Sequence, residues 1–121
     1  MATTRALSFP KSRRLTLPPE FERVRKEGRA ERGRLLIISV LAAQDRHRLR
    51  AGFVTSKRVG SAVVRNQIRR RLREIVRKHQ QELLPDFWVV TIARPAAARA
   101  SYGELEDEWL RLAKRAFILA N

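Results

Sequence analysis

The sequence predicts a single α+β domain in which one mixed sheet packs on helices. Two observations predict it. The apolar period changes along the chain in the order helix, strands, helix, strand, helix. The 121 residues, 44% of them hydrophobic, can build one modest core, and neither an internal repeat nor a composition shift marks a boundary.

Met1–Arg14 mixes Thr, Ser, Lys and Arg without periodicity and is expected to be a loose basic arm. Pro18 and Pro19 suit a first helical turn, Phe21 and Val24 share a face, and Gly28 is placed as a C-terminal cap, so a short helix is expected over 18–27. A charged link leads into the apolar run 35–43, a strand. After the polar turn 44–48, residues 49–56 alternate, with Leu49, Ala51, Phe53 and Thr55 on one side. These two strands are expected to pair as a hairpin.

Gly60 and Ser61 punctuate the change to helical period, with Ser61 as N-cap. The long helix should run to about Leu83, since Pro85 disfavours helical geometry at Leu84. Residues 87–93, FWVVTIA, form a strand apolar on both faces and therefore central in the sheet. A Pro/Ala loop follows. Ser101 and Glu104 mark a capping box, and Leu105, Trp109, Leu112 and Ala116 give a final amphipathic helix.

The long helix carries the strongest functional signal. Residues 57–78, KRVGSAVVRNQIRRRLREIVRK, hold nine Lys or Arg against the single acid Glu74, which is +8 of the chain's +15. On a helical wheel Val64, Ile68, Leu72, Ile75 and Val76 share one side, and Asn66, Arg69, Arg70, Arg73 and Arg77 the other. Such a face repels itself unless an anion relieves it, and the guanidinium fork suits phosphate oxygens. With a pI near 11.8 the partner is a polyanion, nucleic acid before membrane. The longest apolar run is half a bilayer span, and the helix's apolar side lacks interfacial aromatics. Residues 1–10 lack the apolar stretch of a signal peptide, so a cytoplasmic location is expected. There is no cysteine, hence no disulfide or thiolate metal site. Asp45, Asp86 and Asp107 are isolated, and His47 and His79 neighbour no obvious ligand set, so no catalytic or metal-binding residues are assigned.

Residues 50–74, RAGFVTSKRVGSAVVRNQIRRRLRE, resemble the protein subunit of bacterial ribonuclease P. The family pattern is a strand ending Ser-Lys-Lys/Arg, then Val-Gly, Ala-Val and an Arg-Asn-Arg helix. Arg14-Leu15, Glu20-Phe21, Val24 and Gly28 resemble its first-helix pattern, and the DFWVVTIARP of 86–95 its last strand. The resemblance implies a sandwich like the second domain of ribosomal protein S5, with three to four strands and a left-handed βαβ crossover containing the basic helix. It also implies a role. The protein would bind a catalytic RNA and the 5′ leader of precursor tRNA, assisting endonucleolytic hydrolysis that the RNA performs. Magnesium would be held mainly by RNA and substrate. Neither a membrane nor an obligate protein partner is implied.

Carried over by position, the resemblance assigns Lys57, Arg58, Arg65, Asn66, Arg69, Arg70 and Arg73 to RNA contact. Asn66 has a second reading, a bond to nearby backbone. Gln67 departs from the family's usual Arg or Lys. Phe21, Arg25 and Arg14 are assigned to the leader cleft, although Phe21 reads equally as core. Arg25 and Ser39 stand where relatives often carry aromatics, which implies a cleft that relies more on charge than on stacking. Trp88 and Trp109 are expected in the core, and Arg94 either contacts RNA or caps the sheet edge.

Overall fold

In the computed structural model, residues 13–42 and 49–120 are described. The elements in chain order are α1 (Pro18–Glu27), β1 (Arg29–Arg32), β2 (Leu36–Ala42), β3 (Arg50–Thr55), α2 (Ala62–His79), β4 (Phe87–Ala93) and α3 (Tyr102–Arg115). The strands form one mixed sheet in the order β1-β2-β4-β3. Here β2 is antiparallel to β1 and β4, whereas β3 runs parallel to β4. β3, α2 and β4 therefore make a βαβ unit, and the basic helix is its crossover.

The expected hairpin does not form. β2 and β3 are separated by β4, which returns from the crossover and inserts between them. Both strands are mostly shielded on their two faces, so neither carries the one-sided pattern of an exposed hairpin. The turn 44–48 lies outside the described residues. The charged link is itself strand β1, an exposed edge strand of sequence RAER.

α1 lies on one side of the sheet, and α2 and α3 lie on the other. The larger core joins the sheet to the helix pair through Leu36, Ile38, Val40 and Val89, packed on Ile68, Leu72, Ile75, Leu105, Trp109 and Leu112. Each of those side chains is about 2% exposed or less, and burying such a residue stabilises a fold by roughly 1.5–3 kcal/mol before entropy is counted. The smaller core, Leu15, Val24, Trp88 and Val90, lies under α1.

Local chemistry sets the helix ends. Ser61 accepts a hydrogen bond from the Val64 N–H (3.3 Å), and Ser101 and Glu104 form the reciprocal capping box. α2 stops at His79, earlier than expected, and a 3-10 turn over Gln80–Glu82 carries the chain onward. Gly28 follows α1, but at φ −89° it does not adopt the left-handed cap. It is small for another reason: a Cβ there would lie 2.4 Å from the Val40 carbonyl oxygen. Of the predicted loose arm, residues 1–12 lie outside the described part. Its end is fixed: Arg14 bridges Ala51 on the free edge of β3, and the Leu15 N–H donates to the Ala51 carbonyl (2.8 Å).

Candidate nucleic-acid interface

The arginine face of α2 is built from β3 outward. β3 ends at Thr55, and a 3-10 turn over Lys57–Val59 presents Lys57 and Arg58 to solvent. Gly60 then takes φ +152°, a backbone region open almost only to glycine, and starts the helix at Ser61. Asn66 and Arg70 are exposed, while Arg65, Arg69 and Arg73 are half-buried. Gln67 is exposed, at the edge of this face.

Two side chains set Arg69. Its guanidinium donates to the Asn66 carbonyl oxygen (2.9 Å) and to the Thr55 hydroxyl (2.6 Å). Asn66 thus orients a neighbouring arginine rather than bonding to backbone. Arg73 sits among three other arginines. Burial depresses its pKa, and the charges of Arg14, Arg69 and Arg70 lower it further. The Nε atoms of Arg65 and Arg73 are shielded from solvent without a hydrogen-bond partner among the described residues. Guanidinium groups crowded this way present N–H donors in a geometry that suits phosphate oxygens. Not every cation of the helix belongs to it. Arg77 pairs with Glu74, and Arg71 donates to the Ala100 carbonyl (3.3 Å).

Arg14 falls on this side rather than in the cleft to which the sequence assigned it. Leu15 packs under α1, so its neighbour in the extended chain faces the other way, toward Arg73.

The cleft lies across the sheet. A cavity of about 350 Å³ opens between α1 and the strands, lined by Pro18, Phe21, Glu22, Val24, Arg25, Ser39, Val54, Val90 and Ile92. Phe21, Arg25 and Ser39 therefore do come together. Their setting differs from the charge-dominated cleft expected from sequence: the walls are mostly aliphatic, and Arg25 is held by Glu22 on its own helix. Pro18, Glu22, Val24, Val54, Val90 and Ile92 were not assigned to the cleft. The alternation along β4 placed the last two on one face, but only the strand order brings them opposite α1. Phe21 is half-buried, a wall of the cavity that also packs against the smaller core.

A charged connection braces the cleft. Glu20 accepts from the Thr16 and Leu17 N–H groups (3.1 Å each) and from Arg50 (2.7 Å). Burial pushes its carboxyl up, yet the Leu17, Arg50 and Thr16 hydrogen bonds prevail and hold it below the ordinary 4.5. Arg50 also donates to the Arg14 carbonyl (3.1 Å) and lies 5.1 Å from the centre of the Trp88 ring. Trp88 is buried beneath Arg50 and Arg23, and Trp109 is fully buried with its indole N–H on the Thr91 hydroxyl (2.9 Å). Arg94 donates to the Gly33 carbonyl (2.9 Å), which ties the end of β4 to the β1–β2 turn.

His79 is the remaining described imidazole. Its two ring nitrogens lie 2.7 Å from Glu82 and Glu106, an arrangement that favours the doubly protonated ring. Among the described residues no group of three or more His, Asp or Glu side chains is disposed to hold a metal ion. Among the same residues no helix is long and apolar enough to cross a membrane.

Comparison with known proteins agrees with this geometry. The family model described as Ribonuclease P matches residues 9–117. A ribonuclease P protein component of Roseiflexus sp. (strain RS-1) is 43% identical over 108 residues, covering 88% of this chain and 87% of its own. One from Thermus scotoductus is 40% identical over 124 residues, covering 91% and 72%. Among solved structures, the Staphylococcus aureus RNase P protein superposes with a TM-score of 0.84 at 26% identity, covering 90% of this chain and 99% of that one. The Thermotoga maritima RNase P protein gives 0.77 at 26% identity, covering 84% and 96%.

Proposed function

Because this chain belongs to the ribonuclease P protein family, we propose that it is the protein subunit of a ribonuclease P ribonucleoprotein. On this reading the arginine face of α2 docks on the catalytic RNA, and the cavity beneath α1 receives the single-stranded 5′ leader of precursor tRNA. Hydrolysis at the leader junction is the work of the RNA, and the protein supplies affinity and position. Magnesium would be held mainly by the RNA and the substrate. The protein would work in the cytoplasm, where tRNA is made.

The observation that carries the reading is the separation of two different surfaces by one sheet. On one side Arg14, Arg69, Arg70 and Arg73 crowd together, which suits the dense phosphates of a folded RNA. On the other, an aliphatic cavity with one aromatic wall accepts bases without reading their sequence. A general RNA binder needs only the first.

The test is reconstitution with the RNA subunit of the same cell. The protein should raise affinity for precursor tRNA and lower the magnesium requirement, and cutting the leader to a single nucleotide should remove most of that gain. Arg70→Ala should weaken binding of the catalytic RNA, whereas Phe21→Ala should weaken the leader-dependent part. Correct cleavage by the protein without RNA would sink the division of labour, and indifference to leader length would reduce the protein to a general RNA binder.

A further inference from the structure

An exposed aromatic ring stands at the end of α3 in a backbone conformation that does not favour it. The helix closes with the two hydrogen bonds of a Schellman turn, Ile118 N–H to the Ala113 carbonyl (3.2 Å) and Phe117 N–H to the Lys114 carbonyl (3.1 Å). The residue at the turn, Phe117, has φ +60°, the left-handed region that glycine usually occupies and bulky side chains avoid. The residue is 74% exposed, so burial offsets little of that strain. Glycine would suit the turn better on both counts.

The turn that carries the ring is tied to β1 and flanked by cations. Arg29 of β1 donates to the Ala116 carbonyl (2.9 Å), and Arg115 meets Glu31 of β1 (3.4 Å). Phe117, Lys114, Arg115, Leu119 and Ala120 border an open basin of about 820 Å³. It lies at the end of α3, on the side of the sheet opposite the α1 cavity, and no α2 residue is among its lining.

We propose that Phe117 is a stacking platform for an unpaired base of RNA, with Lys114 and Arg115 meeting the adjoining phosphates. The proposal rests on the reading that RNA is the partner and adds a third contact surface. Charge selects this occupant over the alternatives. A second copy of a chain with net charge +15 would be repelled, and residues 1–12 carry Arg5 and Lys11 with no acid to meet Lys114 and Arg115. A polyanion with flat, apolar bases satisfies both the cations and the ring.

Two substitutions in the full chain test it. Phe117→Gly removes the ring and relieves the turn, so Tm should not fall while affinity for oligoadenylate RNA drops about 5- to 150-fold, the usual worth of one stacked base. Phe117→Trp should add fluorescence that oligoadenylate quenches and inorganic polyphosphate, which has charge but no bases, does not. An equal response to the two ligands, or none, would overturn the platform whatever happens to stability. So would self-association abolished by Phe117→Gly, or a change in the added fluorescence when residues 1–12 are deleted without RNA. Arg70→Ala run in parallel separates the two readings. If it weakens RNA binding while Phe117→Gly does not, only the platform fails; if neither does, the RNA-binding reading fails with it.

Discussion

The ring of Phe21 occupies the space that a side chain at Gly52 would need. A Cβ built on Gly52 would lie 2.5 Å from the ring's Cε1 and 2.7 Å from its Cζ. α1 and β3 can approach closely only because β3 has no side chain at that point. Gly52→Ala should therefore destabilise the fold by about 1–3 kcal/mol, as overpacking does, and lower leader affinity although residue 52 is not a wall of the cavity. In a Phe21→Ala background the same change should cost little. Strictly additive losses in a denaturant double-mutant cycle would show that ring and glycine are not coupled.

Arg73 is held among the like charges of Arg14, Arg69 and Arg70. Arg73→Met keeps the aliphatic stem and removes the charge. Thermal stability of the free protein should rise at low salt, where repulsion is least screened. RNA affinity should fall, with the log–log salt slope shallower by about one. For the unsubstituted protein, affinity should drop about 10³–10⁵-fold between roughly 50 and 200 mM salt if six or more phosphates are met. A destabilised Arg73→Met protein with an unchanged slope would make this residue structural.

Glu20 makes part of the stability acid-sensitive. Its folded pKa lies below the ordinary 4.5, so its contribution is present above that value and is lost as pH falls through the depressed one. Glu20→Gln should cost about 1–3 kcal/mol near neutrality, since Arg50 would then be left half-buried without its anion. The gap between wild type and variant should narrow steadily in urea unfolding below about pH 4.5. A gap that stays constant into acid would mean that the carboxylate charge is not what matters.

His79 gives a dependence of opposite sign. Burial pulls its pKa down, but its hydrogen bonds to Glu106 and Glu82 outweigh burial and raise it above the ordinary 6.5. The clasp between α2 and α3 is thus fully present below about pH 6.5 and is lost as pH rises through the folded value. The Tm difference between wild type and His79→Gln should shrink across that alkaline window. If it widened instead, the imidazole would be neutral in the fold.

Much of this architecture was legible from periodicity and caps, because those signals are local. α1 has the expected bounds, Ser61 and Ser101 cap as expected, and the doubly apolar 87–93 is a central strand. β1 escaped notice because an edge strand exposed along most of its length needs no apolar alternation, and RAER has none. The hairpin was a sound inference from adjacency, but a crossover can deliver a later strand between two earlier ones, and no local pattern encodes that. Glu108 is a similar case. On a helix read only as amphipathic, it is 3% exposed and accepts from the Leu35 and Leu36 N–H groups (2.7 Å each), pinning the turn into β2. At the interface, the arginines of α2 were readable as a face. That Arg14 joins them depends on a segment bridging the free edge of β3, a tertiary event.

β3 looks both ways. Its Ala51 and Thr55 serve the helix side, one bridged by Arg14 and the other holding Arg69, while Gly52 and Val54 serve the cavity side. The pleat makes this strand a ruler. Under the proposed function it fixes the leader and the catalytic RNA one sheet thickness apart, whatever the lengths of their own flexible parts. A single inserted or deleted residue in 50–55 would exchange the two sets of side chains and disable both surfaces at once. Loops elsewhere can drift in length, but this segment has to keep count.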